Sequence, residues 1–399
     1  MFTLITKKSY WLSLIAVLAF VSFFVLIQIG IRSSLSAKEL PIAIVNKDEG
    51  PLGEQLEEKL IKKFEATDDA KIKLIRVDSS KKLNQGFNDK KYYGALVIDQ
   101  SFSADIAQEQ TLLKQAIVGS ADTQNIQNLS AKLEIKINEG MNATGAGLAT
   151  TVLTQLATSM NTQISQNQQE LLSSSNAKLP VSFNSILNNP VSYSVSKINP
   201  IPEDNINGML PFLSIMLAWM GSLVMALLLS RIHQPLKAKM LNMKVVTSQI
   251  VSGLLGAIAI GLLVSVFMKI FSVTIPDFSI YTLAISSLAF VFYLIQSALV
   301  NWLGMAGMGI ATVMFMLSTF STYPIEMLNH FMQTYIMSWL PIRYAVDLIT
   351  NLLYFENGSG TTQTSVTVIL IYAIVAIALM YLSIFKSLFK GVKGQPKAA

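Results

Sequence analysis

Five strongly apolar stretches of this chain run for twenty residues or more without a charged side chain: 9–31, 205–230, 245–268, 278–325 and 357–385. A helix of roughly 20 apolar residues crosses a hydrocarbon core of ~30 Å. In that core every backbone N–H and C=O must be satisfied within the protein, which a helix does by itself. The chain is therefore expected to be built into a membrane. Only 14% of its residues are charged and 52% are hydrophobic, whereas a soluble domain carries about 25% charge.

The 278–325 window is long enough for two spans, with a break expected at Asn301-Trp302-Leu303-Gly304, where a polar residue, an interfacial aromatic and a glycine coincide. That makes six spans. The first, SYWLSLIAVLAFVSFFVLIQIGI, is read as an uncleaved anchor rather than a signal peptide. Its apolar region is too long, and Ser34-Leu35-Ser36-Ala37 is the only small-residue cleavage candidate behind it. Lysine and arginine set the direction. Lys7 and Lys8 precede span 1; Arg231, Lys237, Lys239 and Lys244 separate spans 2 and 3; Lys386, Lys390, Lys393 and Lys397 follow span 6. The short opposite segments hold only Lys269 and Arg343. Both termini are thus expected in the cytoplasm and residues 32–205 outside, since long loops translocate largely regardless of charge.

The insert begins as alternating strands and helices. PIAIVN (41–46), KIKLIRV (71–77) and YGALVI (93–98) read as strands, and AIVGS (116–120) as a fourth. Leu52, Leu56, Leu60 and Ile61 recur at helical spacing, and Ser79 or Ser80 is placed to cap a helix holding Leu83 and Phe87. This order predicts a small α/β domain with a mixed sheet. Further on, Ile126, Leu129, Leu133, Ile137, Met141, Leu148, Val152, Leu156, Met160 and Ile164 recur every three to seven positions and predict one or two long amphipathic helices, bent near Gly140, Gly145 and Gly147. Four prolines then mark an extended return to the membrane, within which VSYSVSKI (191–198) is a possible strand of the sheet.

The fold expected is a membrane protein: an all-α six-helix transmembrane bundle, one span plus five. An extracytoplasmic α/β plus long-helix domain is inserted after the first span. Its parts are a cytoplasmic tail and first span (1–31), an α/β subdomain (32–121), a helical hairpin with return segment (122–205), spans two to six (206–390) with an outer re-entrant segment (322–347), and a cytoplasmic tail (391–399).

Several chemistries are excluded. There is no cysteine, so disulfides, thiolate catalysis and cysteine metal sites are absent. The two histidines, His233 and His330, are expected on opposite sides of the membrane, which argues against a histidine metal centre. No G-x-x-x-x-G-K-[ST], H-E-x-x-H or G-x-S-x-G occurs. The chain is not expected to be an enzyme or to hold a cofactor or metal. Its basic residues gather at the ends of apolar runs rather than in one stripe, so nucleic acid is not an expected partner. Asp48 reads as a turn residue rather than a metal ligand.

Three clusters of residues are familiar in their order. They are Ile44-Val45-Asn46-x-Asp48-x-Gly50-x-Leu52-Gly53; Leu83-Asn84-Gln85-Gly86-Phe87; and Tyr93-Gly94-Ala95-Leu96-Val97-Ile98 with Phe102-Ser103. Together with Asn199-Pro200, Gly208-x-x-Pro211-Phe212, Tyr323-Pro324 and Leu340-Pro341-x-x-Tyr344-x-Val346-Asp347, they resemble ABC-2 type exporter permeases, in particular the phage-infection-protein (Pip)-like, YhgE-like branch. The resemblance covers about 10–120 and 195–390. It implies a membrane subunit that forms a homomeric or heteromeric dimer and works with a cytoplasmic ATP-binding-cassette ATPase to move amphiphiles, lipids, polymers or antimicrobials outward. The tail before span 1 is shorter than the interfacial helix many such permeases carry, and the branch includes members without an assigned ATPase.

Two groups of residues are candidates for function. Glu326, His330, Arg343 and Asp347 lie in an otherwise apolar segment between spans 5 and 6, broken by Pro324 and Pro341. It reads as a helical hairpin dipping into the outer leaflet, where charges pair or mark a pathway. These four form a candidate exit gate, and the spacing of Arg343 and Asp347 allows an ion pair. Arg231, His233, Lys237, Lys239 and Lys244 form a candidate ATPase-coupling loop, besides anchoring the chain on anionic lipid. The leading reading is an exporter permease for amphiphilic substrates in the cell membrane. The alternative is a non-transporting scaffold or surface receptor, phage-receptor-like or secretion-accessory, acting through the external domain. A membrane enzyme lacks a catalytic set, and a proton-driven carrier lacks ionisable groups in its spans.

Overall fold

The structure is a computed structural model that describes residues 8–33, 35–68, 70–118, 129–175, 183–239, 243–356 and 358–391. Helix α1 (Lys8–Val25) continues through one π turn to a short helical turn ending at Ser33. The chain then enters a five-stranded sheet of order β2-β1-β3-β4-β5. Strand β1 (Leu40–Asn46) lies parallel to both β2 (Ile72–Arg76) and β3 (Gly94–Ile98). Strand β4 (Ala131–Asn138) is antiparallel to β3, and β5 (Val191–Ile198) runs parallel to β4 at the edge.

The crossovers dictate which face each helix covers. From β1 the chain moves one way to β2, then back across β1 to β3. Right-handed crossovers in opposite directions put their helices on opposite faces. Helix α2 (Pro51–Glu65) accordingly packs on Leu40, Ile42 and Ile44, while α3 (Ser80–Asn88) packs Leu83 and Phe87 on Ala43 and Val45. Strand β1 is covered on both sides, which is why it reads as an unbroken apolar run. Ser79 caps α3, its hydroxyl accepting from the Lys82 N–H at 3.3 Å.

The first resemblance cluster is structural. Asp48 accepts from the Gly53 N–H at 2.9 Å and from the Ser103 N–H at 2.9 Å, and its carboxylate also takes the Ser103 hydroxyl. A Cβ on Gly53 would sit 2.5 Å from that of Asp48, and one on Gly50 2.3 Å from that of Ser103. Asp48 is thus a turn brace that ties the start of α2 to the start of α4 (Phe102–Ile117).

Two elements differ from the sequence reading. Residues 116–117 end α4 instead of opening a strand, and 119–120 lie outside the described residues. The expected helix across Leu133 and Ile137 is strand β4, so among the described residues one arm of the expected helical hairpin is a strand. A spacing of four is common to both periods, and the deciding alternation, Lys132-Leu133-Glu134-Ile135-Lys136-Ile137, has period two. The long helix does exist as α5 (Ala143–Ser175), which lays Ala146, Ala149, Leu153 and Ala157 against the sheet. VSYSVSKI is strand β5, as expected.

Five described helices have the length and apolarity to cross a membrane. They lie in α6 (Leu210–Lys239), α7 (Met243–Ile270), α8 (Phe278–Leu303), α9 (Met305–Ser318, extended to Thr322 by a 3-10 turn) and α11 (Thr362–Gly391). Helix α8 is the buried centre, with Phe292 set edge-on to Trp219 of α6 at 4.9 Å. Helix α7 approaches it closely because Gly253 and Gly261 leave room for Tyr293 and Ser286. The break between α8 and α9 falls at Gly304, whose φ of +63° favours glycine. Helix α1 is not among the five; Gln28 joins it to the bundle by donating to the Met316 carbonyl at 2.9 Å.

The expected helical hairpin at 322–347 is mostly irregular. A 3-10 turn at Ile325–Met327 and a π turn at Met332–Met337 lead into a single regular helix, α10 (Pro341–Tyr354). Pro341 sits in its first turn, where the missing N–H leaves nothing unsatisfied.

A buried acid supplies a test of the sheet domain. Glu109 of α4 is fully buried against α5, accepting from the Gln168 amide at 3.2 Å. Burial pushes its carboxyl up to about 8, only partly offset by the Gln168 hydrogen bond. The protonated form therefore favours folding. That contribution is complete below the ordinary value of 4.5 and is lost as pH rises through about 8. Glu109→Gln, which stays neutral, is expected to match wild type in thermal melts at acid pH and to gain on it toward pH 9, by roughly 2–4 °C for each kcal/mol.

Candidate functional site

Where the sheet domain meets the bundle, the loops at one end of the sheet rest on α10 and on the turns before it. The α3–β3 loop contributes Lys90 and Tyr93, and the segment after β4 contributes Asn142. Lys90 adopts a left-handed φ of +56°, which turns its side chain out of the α3 end and into the junction. Its ammonium donates to Asp347 Oδ1 at 2.6 Å and lies 4.9 Å from the centre of the Phe355 ring. Only 8% of the Lys90 side chain is exposed, so the pair works in a medium where an unmatched charge is costly.

Asp347 is matched on every side. Besides Lys90 it accepts from Ser365 Oγ at 2.7 Å, Thr361 Oγ1 at 2.8 Å and Asn351 Nδ2 at 3.2 Å. Burial alone would raise its carboxyl, but the Lys90 charge and these donors hold it below the ordinary range. Burial also draws the Lys90 ammonium below the usual lysine range, against the pull of Asp347.

A second contact lies beside the first. Tyr93 Oη donates to Glu326 Oε2 at 2.9 Å. Burial, reinforced by the Glu326 carboxylate, holds the phenol well above its ordinary range, so it keeps its proton. Asn142 Nδ2 donates to the Thr322 carbonyl at 3.1 Å, and the Gly360 N–H donates to the Asn88 carbonyl at 3.3 Å. Close packing demands glycine here: a Cβ on Gly145 would sit 2.5 Å from the Tyr93 ring, and one on Gly140 2.7 Å from Tyr354 Cβ. Between these contacts lies a cavity of about 300 Å³, lined in part by Tyr93, Asn142, Glu326, Arg343, Asp347 and Tyr354.

Of the four residues of the candidate gate, the structure brings three to this cavity. Glu326, Arg343 and Asp347 line it. His330 is exposed and lines a separate groove of about 980 Å³, beside Glu39 and Asp68 of the sheet domain. The expected Arg343–Asp347 pair does not form. Every Asp347 oxygen is already engaged, and Arg343 Nη1 donates to the Met337 carbonyl at 2.9 Å. The partner Asp347 takes is Lys90, 257 residues away in the chain. Nothing in Asn88-Asp89-Lys90-Lys91 distinguishes it from a solvated turn, and Tyr93 stood out only as a motif residue.

The connection between α6 and α7 lies at the other end of the bundle. Arg231 and Lys244 are exposed, whereas His233 is buried with Nδ1 2.8 Å from the Leu229 carbonyl. The side chains of Lys237 and Lys239 lie outside the described residues. Among the described residues no cluster of three or more His, Asp or Glu is placed to hold a metal ion. The junction offers a buried ion pair, hydrogen bonds and a cavity whose wall mixes polar and apolar side chains.

A family model described as ABC-2 family transporter protein matches residues 7–382. The chain belongs to this family. It is a membrane component of a transporter, consistent with its apolar helices and with the resemblance noted in its motifs; the Pip-like, YhgE-like branch is not distinguished by this match. No curated protein and no solved structure matches the chain.

The ion pair makes a sharp test. Asp347→Asn strands the buried Lys90 charge and is expected to destabilise the protein by about 3–5 kcal/mol. Lys90→Met leaves Asp347 with three neutral donors and costs less. The double variant K90M/D347N is expected to lose less than the sum of the two, as thermal melts of the purified protein will report. Additive losses would mean that the two charges are not coupled.

Proposed function

We propose that this chain is the permease subunit of an ATP-driven exporter that moves amphiphilic molecules outward, with α1 as a sixth span and the sheet domain beyond the outer leaflet. The observation that carries the reading is the junction. A domain inserted between the first helix and the other five is tied, by a buried ion pair, to the segment joining two spans. A displacement of α10 must therefore either carry the sheet domain with it or break that pair. The cavity between them, with Glu326 and Arg343 in its wall, is a vestibule whose shape changes with that displacement.

The stroke would enter at the opposite end. Arg231 and Lys244 flank the α6–α7 connection and offer positive charge to an ATP-hydrolysing subunit. Helices α6 and α7 both pack on α8, and α6 also supplies Pro211 and Phe212 to the vestibule wall. Movement at the connection can thus reach the junction through contiguous packed helices. The apolar bundle and its few fixed charges suit an amphiphile better than an ion.

Affinity purification in mild detergent is expected to bring a nucleotide-binding subunit with the chain. R231E/K244E should release that subunit and stop ATP-dependent efflux of a fluorescent amphiphile while leaving the melting temperature unchanged. Equal recovery with the variant would remove the connection as the docking point. Absence of both the subunit and the efflux would remove the export reading. Protease added to intact cells should cut within 32–205 and spare a tag on the C-terminus; the reverse pattern inverts the topology.

A further inference from the structure

A second cavity, of about 1070 Å³, lies on the flank of the bundle rather than at its centre. It runs between the sheet-proximal halves of α8 and α11, with α10 as its back wall. Leu283 and Leu370, at its two edges, are more than half exposed, and Ala284 and Leu288 form part of its floor. In a membrane these surfaces face lipid. Apart from Ser287, the wall is apolar along α8 and the lower part of α11, and it is polar where the sheet domain overhangs it.

Two features of the polar end select a ligand. The first is a buried acceptor. Asn351, 3% exposed and part of the wall, turns its amide nitrogen toward Asp347, Thr361 and Thr362. The carboxylate needs a donor, which settles the orientation of the amide. Its Oδ1 is left without a partner among the described residues, at a cost that a hydrogen-bond donor would relieve. The second feature is charge. Asp277 and Glu356 line the same end. The cation that joins them, Lys197, is already bound to Glu139 at 2.9 Å. The polar end is therefore net negative.

We propose that this groove is a binding site for a bilayer phospholipid with a primary ammonium headgroup. An acyl chain lies along α8 and α11. The ammonium, a cation with three N–H donors, sits among Asp277, Glu356 and Asn351 Oδ1. A quaternary ammonium lipid has the charge without the donors, and an anionic glycerol headgroup has donors with the wrong charge. The site adjoins the network around Asp347, so its occupant steadies the wall of the junction. The inference rests on the membrane placement of α8 and α11 and is independent of the export reading, because lipid retention and efflux are measured separately.

The test is native mass spectrometry of the full-length protein, stripped of lipid in detergent and titrated in turn with phosphatidylethanolamine, phosphatidylcholine and phosphatidylglycerol. Phosphatidylethanolamine is expected to bind about tenfold more tightly than the other two, the worth of one charge-assisted hydrogen bond. Ala284→Trp fills the groove and should abolish the preference. D277N/E356Q should reduce it about tenfold; it removes both charges, while asparagine at 277 still caps α8. Melting temperatures identify any variant that fails to fold, and either variant alone decides the question. Equal binding of the three lipids overturns the proposal. So does a preference that survives in a folded variant, or a dimer that takes up no lipid because a second copy fills the groove.

Discussion

The Lys90–Asp347 pair joins two halves of the molecule that are stabilised by different physics. The sheet domain has a water-excluding core between α/β layers and a polar surface. The bundle is apolar on both sides, with a hydrophobic core around Trp219 and Phe292 and with Leu283, Leu370 and their neighbours exposed on its outer surface. Hydrophobic burial cannot weld such surfaces, because the bundle's apolar exterior belongs to lipid. What remains is polar, and a polar contact excluded from water is strong only when every group in it is satisfied. Asp347 meets that condition with four donors.

The same condition explains the shape of the segment before α10. Regular helix would satisfy its own backbone and leave little for the sheet domain. The short turns around Pro324 instead present the Thr322 carbonyl and Glu326 to Asn142 and Tyr93. Irregular backbone survives next to a membrane when it is buried in protein, and here the sheet domain provides that cover. The glycines at 140 and 145 bring the two surfaces close enough for these bonds to form.

Much of this architecture was legible in the sequence. The uncharged runs marked six expected spans, five of which are described helices long and apolar enough to cross a membrane, as well as the break at Gly304 and the strands through Ile44, Leu74 and Leu96, because hydropathy and period are local properties. Strand β4 was misread because its apolar residues satisfy two periods at once and only its charged residues tell them apart. The end of α4 was misread because a short apolar run carries no period of its own. At the junction, Glu326, Arg343 and Asp347 drew attention as charges in an apolar segment, yet their partners did not. Lys90 and Asn142 sit in polar turns that resemble any solvated loop.

The sequence by itself determined which helices are long and apolar enough to lie in lipid and, through its motif order, pointed to the family. Both follow from side-chain chemistry read one residue after another. Which charge answers which was decided only by the tertiary structure. Arg343, one helical turn from Asp347, was the local choice, but a side chain 257 positions away reaches the carboxylate first. That outcome depends on how the sheet domain is seated on the bundle, and no spacing along the chain encodes it.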